Sequence, residues 1–435
     1  MPFDDARRDR SNPAMATKKT SSRRSRPTTA APPSSARIDP AEHARRREAV
    51  LKALDGAVGL VLAGDAVGEE PYRPHPHFEY LTGIDDEGGA VLLLDPRHPV
   101  PSRRAMLFLR PLDPELERWV GMREPIGGPL KTRYGIPTIM RKGALARELS
   151  LSAQRSRRLA CLHPPAHHDA PISPDLDVLR RVAERVVGCS ITDATDVLPK
   201  MRASKSPAEV ELIRRAGEAT KVGFLEAMRA IRPGAGEFDV ESALDRGYRA
   251  AGSRRHAYRP IVGTGLNATV LHYHANSATI QPGDLVLIDS GAELAGYASD
   301  VTRTYPADGV FTPRQREVYE VVLRALDAGI KACVPGKRLS DMDAAARKVI
   351  NDAGFGEYFI HGAGHHLGLQ VHDASPDEPL RSGAVVTVEP GIYIPQERLG
   401  IRVEDDVEVT RKGPRNLTAS IPKTVAEIES IMRRG

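Results

Sequence analysis

Ordered hydrophobic patterning begins at about Pro40. Residues 41–54 space their apolar side chains at helical intervals, while 58–63, 90–94 and 105–109 are short, continuous apolar runs of strand length. Helix-period stretches follow at 144–150 and 176–187. Strands alternating with helices predict a smaller amino-terminal α/β domain over 41–199, ending near Pro199. Its histidines fall at Pro74-His75-Pro76-His77 and His167-His168. With proline between them or no acid beside them, they read as loop residues rather than metal ligands.

The second domain, 200–435, opens on Ser206-Pro207-Ala208-Glu209, which is a helix-starting capping box. Val210, Ile213, Gly217, Thr220, Phe224, Met228 and Ile231 then follow one helical face up to Pro233-Gly234. A second helix is expected from about Phe238 to Ala251. The layout then recurs. Thr312-Pro313-Arg314-Gln315 opens a helix carrying Val318, Val322, Leu326 and Ile330, which stops before Pro335-Gly336, and a further helix ends at Gly354. Landmarks return at an offset of about 100 residues, predicting two α/β halves related by approximate two-fold symmetry.

Charge changes this picture only at the amino terminus. Residues 1–47 hold 12 Lys or Arg against 5 acids, so +7 of charge sits there and the rest of a chain of net +5 is left at −2. The folded part is therefore not a basic nucleic-acid binder. Residues 1–40, rich in Ser, Thr, Pro, Ala and Arg, read as a disordered basic tail without the apolar stretch of a secretory signal. Met15 is an alternative start, and the acid-free stretch 15–38 gives a mitochondrial transit peptide as the alternative to a cytoplasmic location. No run of 18 apolar residues is present, so no membrane span is expected. Three widely spaced cysteines, Cys161, Cys189 and Cys333, form neither a disulfide framework nor a zinc spacing and fit a reducing compartment.

The repeat carries the chemistry. Residues 284–288 are an apolar strand ending at Asp289, and 384–388 are another ending at Glu389, 100 residues on. His272 and His372 are also 100 apart. Asp300 follows Asp289, and Glu404 follows Glu389. Gly296 allows a tight hairpin that places Asp289 and Asp300 on neighbouring strands, and 391–400 allows the same for Glu389 and Glu404. One acid at a strand end is ordinarily a turn residue, and one histidine ordinarily packs or solvates. Repetition of both at a single offset is not ordinary. Four converging carboxylates repel unless neutralised, and two divalent cations supply the matching charge. Oxygen ligands suit Mn²⁺, Mg²⁺, Co²⁺ or Zn²⁺, and an imidazole shifts the preference toward transition metals. Two such ions hold and deprotonate a bridging water, giving a hydroxide nucleophile. The glycine-rich segment 361–373, with His361, His365, His366 and His372, is the source of nitrogen ligands.

At these residues the sequence resembles the pita-bread metallopeptidases, and among them the Xaa-Pro aminopeptidases (aminopeptidase P). The resemblance covers about 41–430. Segments 285–305, 361–373, 385–393 and 400–406 carry the family's metal motifs in order, and Phe78-Glu79-Tyr80-Leu81-Thr82-Gly83 is similar to a segment of its amino-terminal domain. The resemblance implies a carboxy-terminal pita-bread fold and a dinuclear exopeptidase hydrolysing the Xaa-Pro bond at the amino end of peptides. It implies Asp289 as a ligand of one ion, Asp300 and Glu404 as bridges, and His365 and Glu389 as ligands of the other, with Glu389 the general base. His372 is expected to protonate the leaving proline nitrogen, His361 and His272 to orient the substrate, and Arg402 and Tyr393 to hold the ligands or the peptide. His366 is left as packing. Mn²⁺ is the expected metal, peptides with proline second the expected partners, and a homodimer or homotetramer the expected assembly. An Xaa-Pro dipeptidase (prolidase) shares every ligand and is the alternative. Methionine aminopeptidase lacks such an amino-terminal domain, and creatinase-like or peptide-binding relatives have lost ligands that are all present here.

Overall fold

The computed structural model describes residues 37–65 and 72–433. The expected disordered tail lies outside the described residues, save for its last four.

Asp39 caps the first helix, Pro40–Ala53, accepting from Ala41 N at 2.8 Å. The apolar runs then build a six-stranded sheet in the order Thr138–Arg141, Ala105–Leu109, Val91–Leu94, Val58–Leu62, Arg158–Cys161, Ser190–Asp193. Val91–Leu94 is antiparallel to both its neighbours, and the remaining pairs are parallel. Alternate residues enter different cores: Val61, Leu92 and Leu107 on one face, Leu60, Leu93 and Phe108 on the other. Burial on both faces is why these strands read as unbroken apolar runs rather than alternating ones.

One expectation for this region is corrected in part. In the Pro-His-Pro-His segment Pro74 and His75 are loop, as expected, while Pro76 and His77 begin a helix. His75 is the N-cap of helix Pro76–Thr82, its Nδ1 accepting from His77 N at 3.2 Å, and His77 is buried inside that helix. The expected boundary at Pro199 falls within a helix, Val197–Ala203, whose Leu198 packs into the amino-terminal core. A proline in a helix's first turn breaks no hydrogen bond, so it does not mark an end.

Both capping boxes form. Ser206 Oγ accepts from Glu209 N while Glu209 accepts from Ser206 N, and Thr312 and Gln315 do likewise. They open the helices Pro207–Ala230 and Pro313–Ala332, each followed by a shorter helix, Glu237–Ala250 and Leu339–Asp352. Each pair backs a set of antiparallel strands. Leu285–Ser290 pairs with Val301–Pro306 in the first half, and Val385–Val388 with Asp405–Glu408 in the second. The expected tight hairpins are interrupted. A small hairpin, Ala292–Leu294 with Tyr297–Ala298, is inserted in the first half, and Gly391–Ile394 with Leu399–Arg402 in the second. One hydrophobic core runs through both halves, from Phe224 and Leu244 to Val388 and Ile401.

Arg303 ties the halves together. Fully buried, it donates to Glu404 O at 2.5 Å, to Asp405 Oδ1 at 2.7 Å and to Ile421 O at 3.2 Å. Burial opposes the Asp405 charge, but Arg303 and Lys423 outweigh it and hold the carboxyl below its usual range.

The first helix pair crosses backbone to backbone at Gly223 and Gly247. A Cβ on Gly247 would lie 2.5 Å from Gly223 Cα and 2.7 Å from its nitrogen. Gly247→Ala must push the helices apart, and the overpacking outweighs the helix-propensity gain of about 1 kcal/mol. A net loss of about 1–2 kcal/mol is expected. Gly143→Ala, where a Cβ meets nothing within 4 Å, is expected to leave the denaturant midpoint unchanged. Equal midpoints for the two variants would refute the close crossing.

Candidate active site

The strand ends of both halves open into a cavity of about 990 Å³. Asp289, Asp300, His365, Glu389 and Glu404 all line it, together with His272, His361, His372 and Arg402. Asp289 ends one strand and Asp300 begins its partner, where Ser290 pairs with Val301. Glu389 and Glu404 flank the corresponding Val388–Asp405 pair in the other half. The halves are stitched beside the site, because Glu404 N donates to Thr302 O at 3.0 Å.

Asp300, His365 and Glu404 each bring a ligand atom within 4.8 Å of the others. His365 Nδ1 faces His366 O at 3.1 Å, so this nitrogen carries the hydrogen and Nε2 keeps a free lone pair. That lone pair faces Asp300 at 3.5 Å and Glu389 at 3.6 Å, separations too long for good hydrogen bonds. Donor atoms spaced so, around a common point, suit a cation between them.

Electrostatics make the same point. Burial, then the Asp289 charge, raises Asp300 well above the usual carboxylate range. Burial, then the Asp300, Glu389 and Asp289 charges, does so for Glu404. Burial pushes Glu389 up to about 8, with Arg402 opposing and Asp289 adding. Four acids thus share a half-buried wall with one guanidinium, a crowding of carboxylates that further positive charge would relieve.

Arg402 is fully committed. It donates to Asp289 Oδ2 at 2.5 Å, to Tyr393 Oη at 2.9 Å and to Thr302 Oγ1 at 3.0 Å. Thr302 passes its own hydrogen to Glu404 Oε2 at 2.7 Å. His361 Nδ1 faces Gly362 O at 2.8 Å, so its Nε2 accepts from Tyr393 Oη at 2.8 Å. A chain Asp289–Arg402–Tyr393–His361 results. Tyr393 is buried and does not line the cavity, so it reaches the site through Arg402 and His361. Burial, then the Arg402 charge, lowers His361 to about 4. His272 and His372 are exposed in the cleft. The His372 ring lies 4.1 Å from that of His365, edge to face. His366 is buried, as expected of a packing residue.

Several site residues escaped the sequence reading. Tyr258 Oη donates between Asp289 Oδ1 and Asp300 Oδ1. It sits in a loop, and its recurrence as Tyr358, 100 residues on, was the signal available for it. Thr302 and Thr387 were read as strand residues, yet Thr387 Oγ1 accepts from His365 N at 3.0 Å. His274 lines the cavity beside His272, with rings 6.4 Å apart. The spacing His272-x-His274 was the signal available for it.

Residues 211–411 match metallopeptidase family M24, and residues 43–159 match the aminopeptidase P amino-terminal domain. A Xaa-Pro aminopeptidase of Haemophilus influenzae is 35% identical over 402 residues, covering 83% of this chain and 89% of that one. The Escherichia coli K12 Xaa-Pro aminopeptidase is 32% identical over 90% of this chain and 97% of its own. The solved structure of Pseudomonas aeruginosa aminopeptidase PepP superposes with a TM-score of 0.83 at 33% identity, covering 92% of this chain and 99% of that one. The chain belongs to metallopeptidase family M24, among the Xaa-Pro aminopeptidases of pita-bread fold, and is a metal-dependent aminopeptidase acting on peptides.

Proposed function

We propose that Asp289, Asp300, His365, Glu389 and Glu404 hold two divalent ions, Mn²⁺ by preference, and that the site releases the residue preceding proline at the amino end of peptides. The observation that carries this reading is the convergence of Asp300, His365 and Glu404 within 4.8 Å, in a wall where four acids face one guanidinium. Bound ions would polarise the scissile carbonyl and acidify a water molecule. Asp300 and Glu404 lie between the two halves and would bridge. Asp289 would serve one ion, and His365 with Glu389 the other.

The chain's own residues supply the rest. Glu389 takes the proton of the attacking water. His372, exposed in the cleft, returns a proton to the departing proline nitrogen. This step matters for proline, because an X-Pro bond is a tertiary amide whose leaving amine is basic and offers no N–H to grip. His272 and His361 orient the peptide, and Arg402 with Tyr393 keeps Asp289 and His361 in place. A cavity of about 990 Å³ is at the upper end of ordinary ligand pockets, roughly 300–1,000 Å³, which supports peptides longer than the dipeptides a prolidase takes. The free thiols Cys161, Cys189 and Cys333 support a reducing compartment such as the cytoplasm. No helix among the described residues is long and apolar enough to cross a membrane. A homodimer or homotetramer is the expected assembly, with Trp119 and Met122, each 86% exposed, as candidate contacts.

Metal analysis of protein purified without chelator is expected to give two ions per chain. Chelation should abolish turnover and lower the unfolding temperature, since saturating metal at 100 times Kd contributes about 2.7 kcal/mol. A fully active, metal-free protein would refute the site. Glu389→Ala is expected to remove activity while circular dichroism stays native, and retained turnover would exclude its role. With Mn²⁺ added, Gly-Pro-Leu should be cleaved well and Gly-Pro poorly. Cleavage of the dipeptide alone would make the enzyme a prolidase.

A further inference from the structure

Asp373 immediately follows His372, yet its side chain turns away from the cleft and is buried among cations. It accepts from Arg202 Nη2 and lies 3.1 Å from Lys205 Nζ. All three side chains are at most 3% exposed. Arg202 also donates to Gln370 Oε1 at 3.1 Å, two residues before His372, and its Nη1 lies 2.9 Å from His77 Nδ1. The loop leaves no slack: Asp373 N donates to His366 O at 2.9 Å, and a Cβ on Gly368 would lie 2.3 Å from Asp373 Oδ2. His372 itself makes no hydrogen bond within the described structure. Its position therefore depends on its neighbours.

Arg202 belongs to the amino-terminal side. Its helix, Val197–Ala203, is anchored there by Leu198 and by Tyr80 Oη, which donates to Met201 O at 3.2 Å. A buried charge cluster is a costly way merely to join two domains, because desolvation offsets much of the attraction. It does fix a geometry, since a buried guanidinium with several acceptors allows one arrangement. We propose that Arg202, acting through Asp373 and Gln370, is a positioning residue that fixes His372 in the cleft, so that the amino-terminal domain sets the placement of the catalytic histidine. The proposal rests on the reading of His372 as the proton donor.

The test is a double-mutant cycle on Xaa-Pro-Leu hydrolysis by the Mn²⁺-loaded full chain. Arg202→Met should lower kcat about 10²-fold, as expected of a reacting group displaced by about 1 Å, with KM unchanged. Arg202→Lys, which keeps a cation beside Asp373, should recover part of kcat. In a His372→Ala background, where nothing remains to be positioned, Arg202→Met should cost no further kcat. Circular dichroism and bound metal should match the parent. Should Arg202→Met fail to fold, Arg202→Lys runs the same cycle with a smaller loss. Unchanged kcat in the Arg202 variant, or an equal loss in both backgrounds, overturns the proposal alone. Full kcat in His372→Ala overturns the role of His372 and this proposal with it.

Discussion

Four carboxylates facing one guanidinium set the terms for the rest of the molecule. Such a wall exists only if the backbone forbids the acids from moving apart, and if something positive comes to lie among them. The first condition is met by strand pairing. Asp289 lies within a strand ladder, and the other three acids stand just beyond strand ends with their amides pinned, Asp300 N to Asp406, Glu389 N to Ala363 O and Glu404 N to Thr302 O. The second condition is met in part by Arg402, which is shared between Asp289, Thr302 and Tyr393. The remainder is what a metal-dependent enzyme leaves for its ions.

Balanced and unbalanced charge lie side by side here. Glu404, Asp405 and Asp406 are consecutive and all buried, yet they serve different ends. Glu404 faces the cleft. Asp405 is satisfied by Arg303 and Lys423 and is held below its usual range despite burial. Asp406 accepts from Ser299 Oγ at 2.8 Å and from Asp300 N, so one acid fixes the backbone that presents another. Alternation along a strand makes this possible, since successive side chains point to opposite faces. The Arg303–Asp405 contact is one of several links between the strands carrying Asp300 and Glu404, beside Glu404 N to Thr302 O and Ser299 Oγ to Asp406.

The sequence made the acids legible because symmetry made them recur. Asp289 and Glu389 stand out as strand ends 100 residues apart, and each capping box announced its helix without tertiary help. What stayed hidden depends on contacts between distant segments. Tyr258 reaches Asp289 and Asp300 from a loop 31 and 42 residues away. Thr302 looks like any strand residue until Arg402 and Glu404 arrive from 100 and 102 residues away. His77 looks like a loop residue because proline is a loop signal, although proline also starts helices, as Pro76 does here. Local pattern carries local structure, and the polar groups that orient a site are mostly not local.

The two inserted hairpins break the symmetry in a useful way. In the second half, Gly400 approaches so close that a Cβ there would lie 2.0 Å from Ala268 O, so this hairpin packs onto the first half and carries Arg402 and Tyr393 into the site. In the first half, Gly296 turns the other hairpin toward the amino-terminal domain, where a Cβ would lie 2.0 Å from Glu79 Oε1. Glu79 and Arg73 line the same cavity as the acids. One hairpin therefore serves the chemistry, while the other seats the domain that walls off the cleft. A symmetric pair of halves alone would leave that cleft open on both sides. The amino-terminal domain forms one side, since Arg73, Pro74, Pro76 and Glu79 line the cavity together with the four acids.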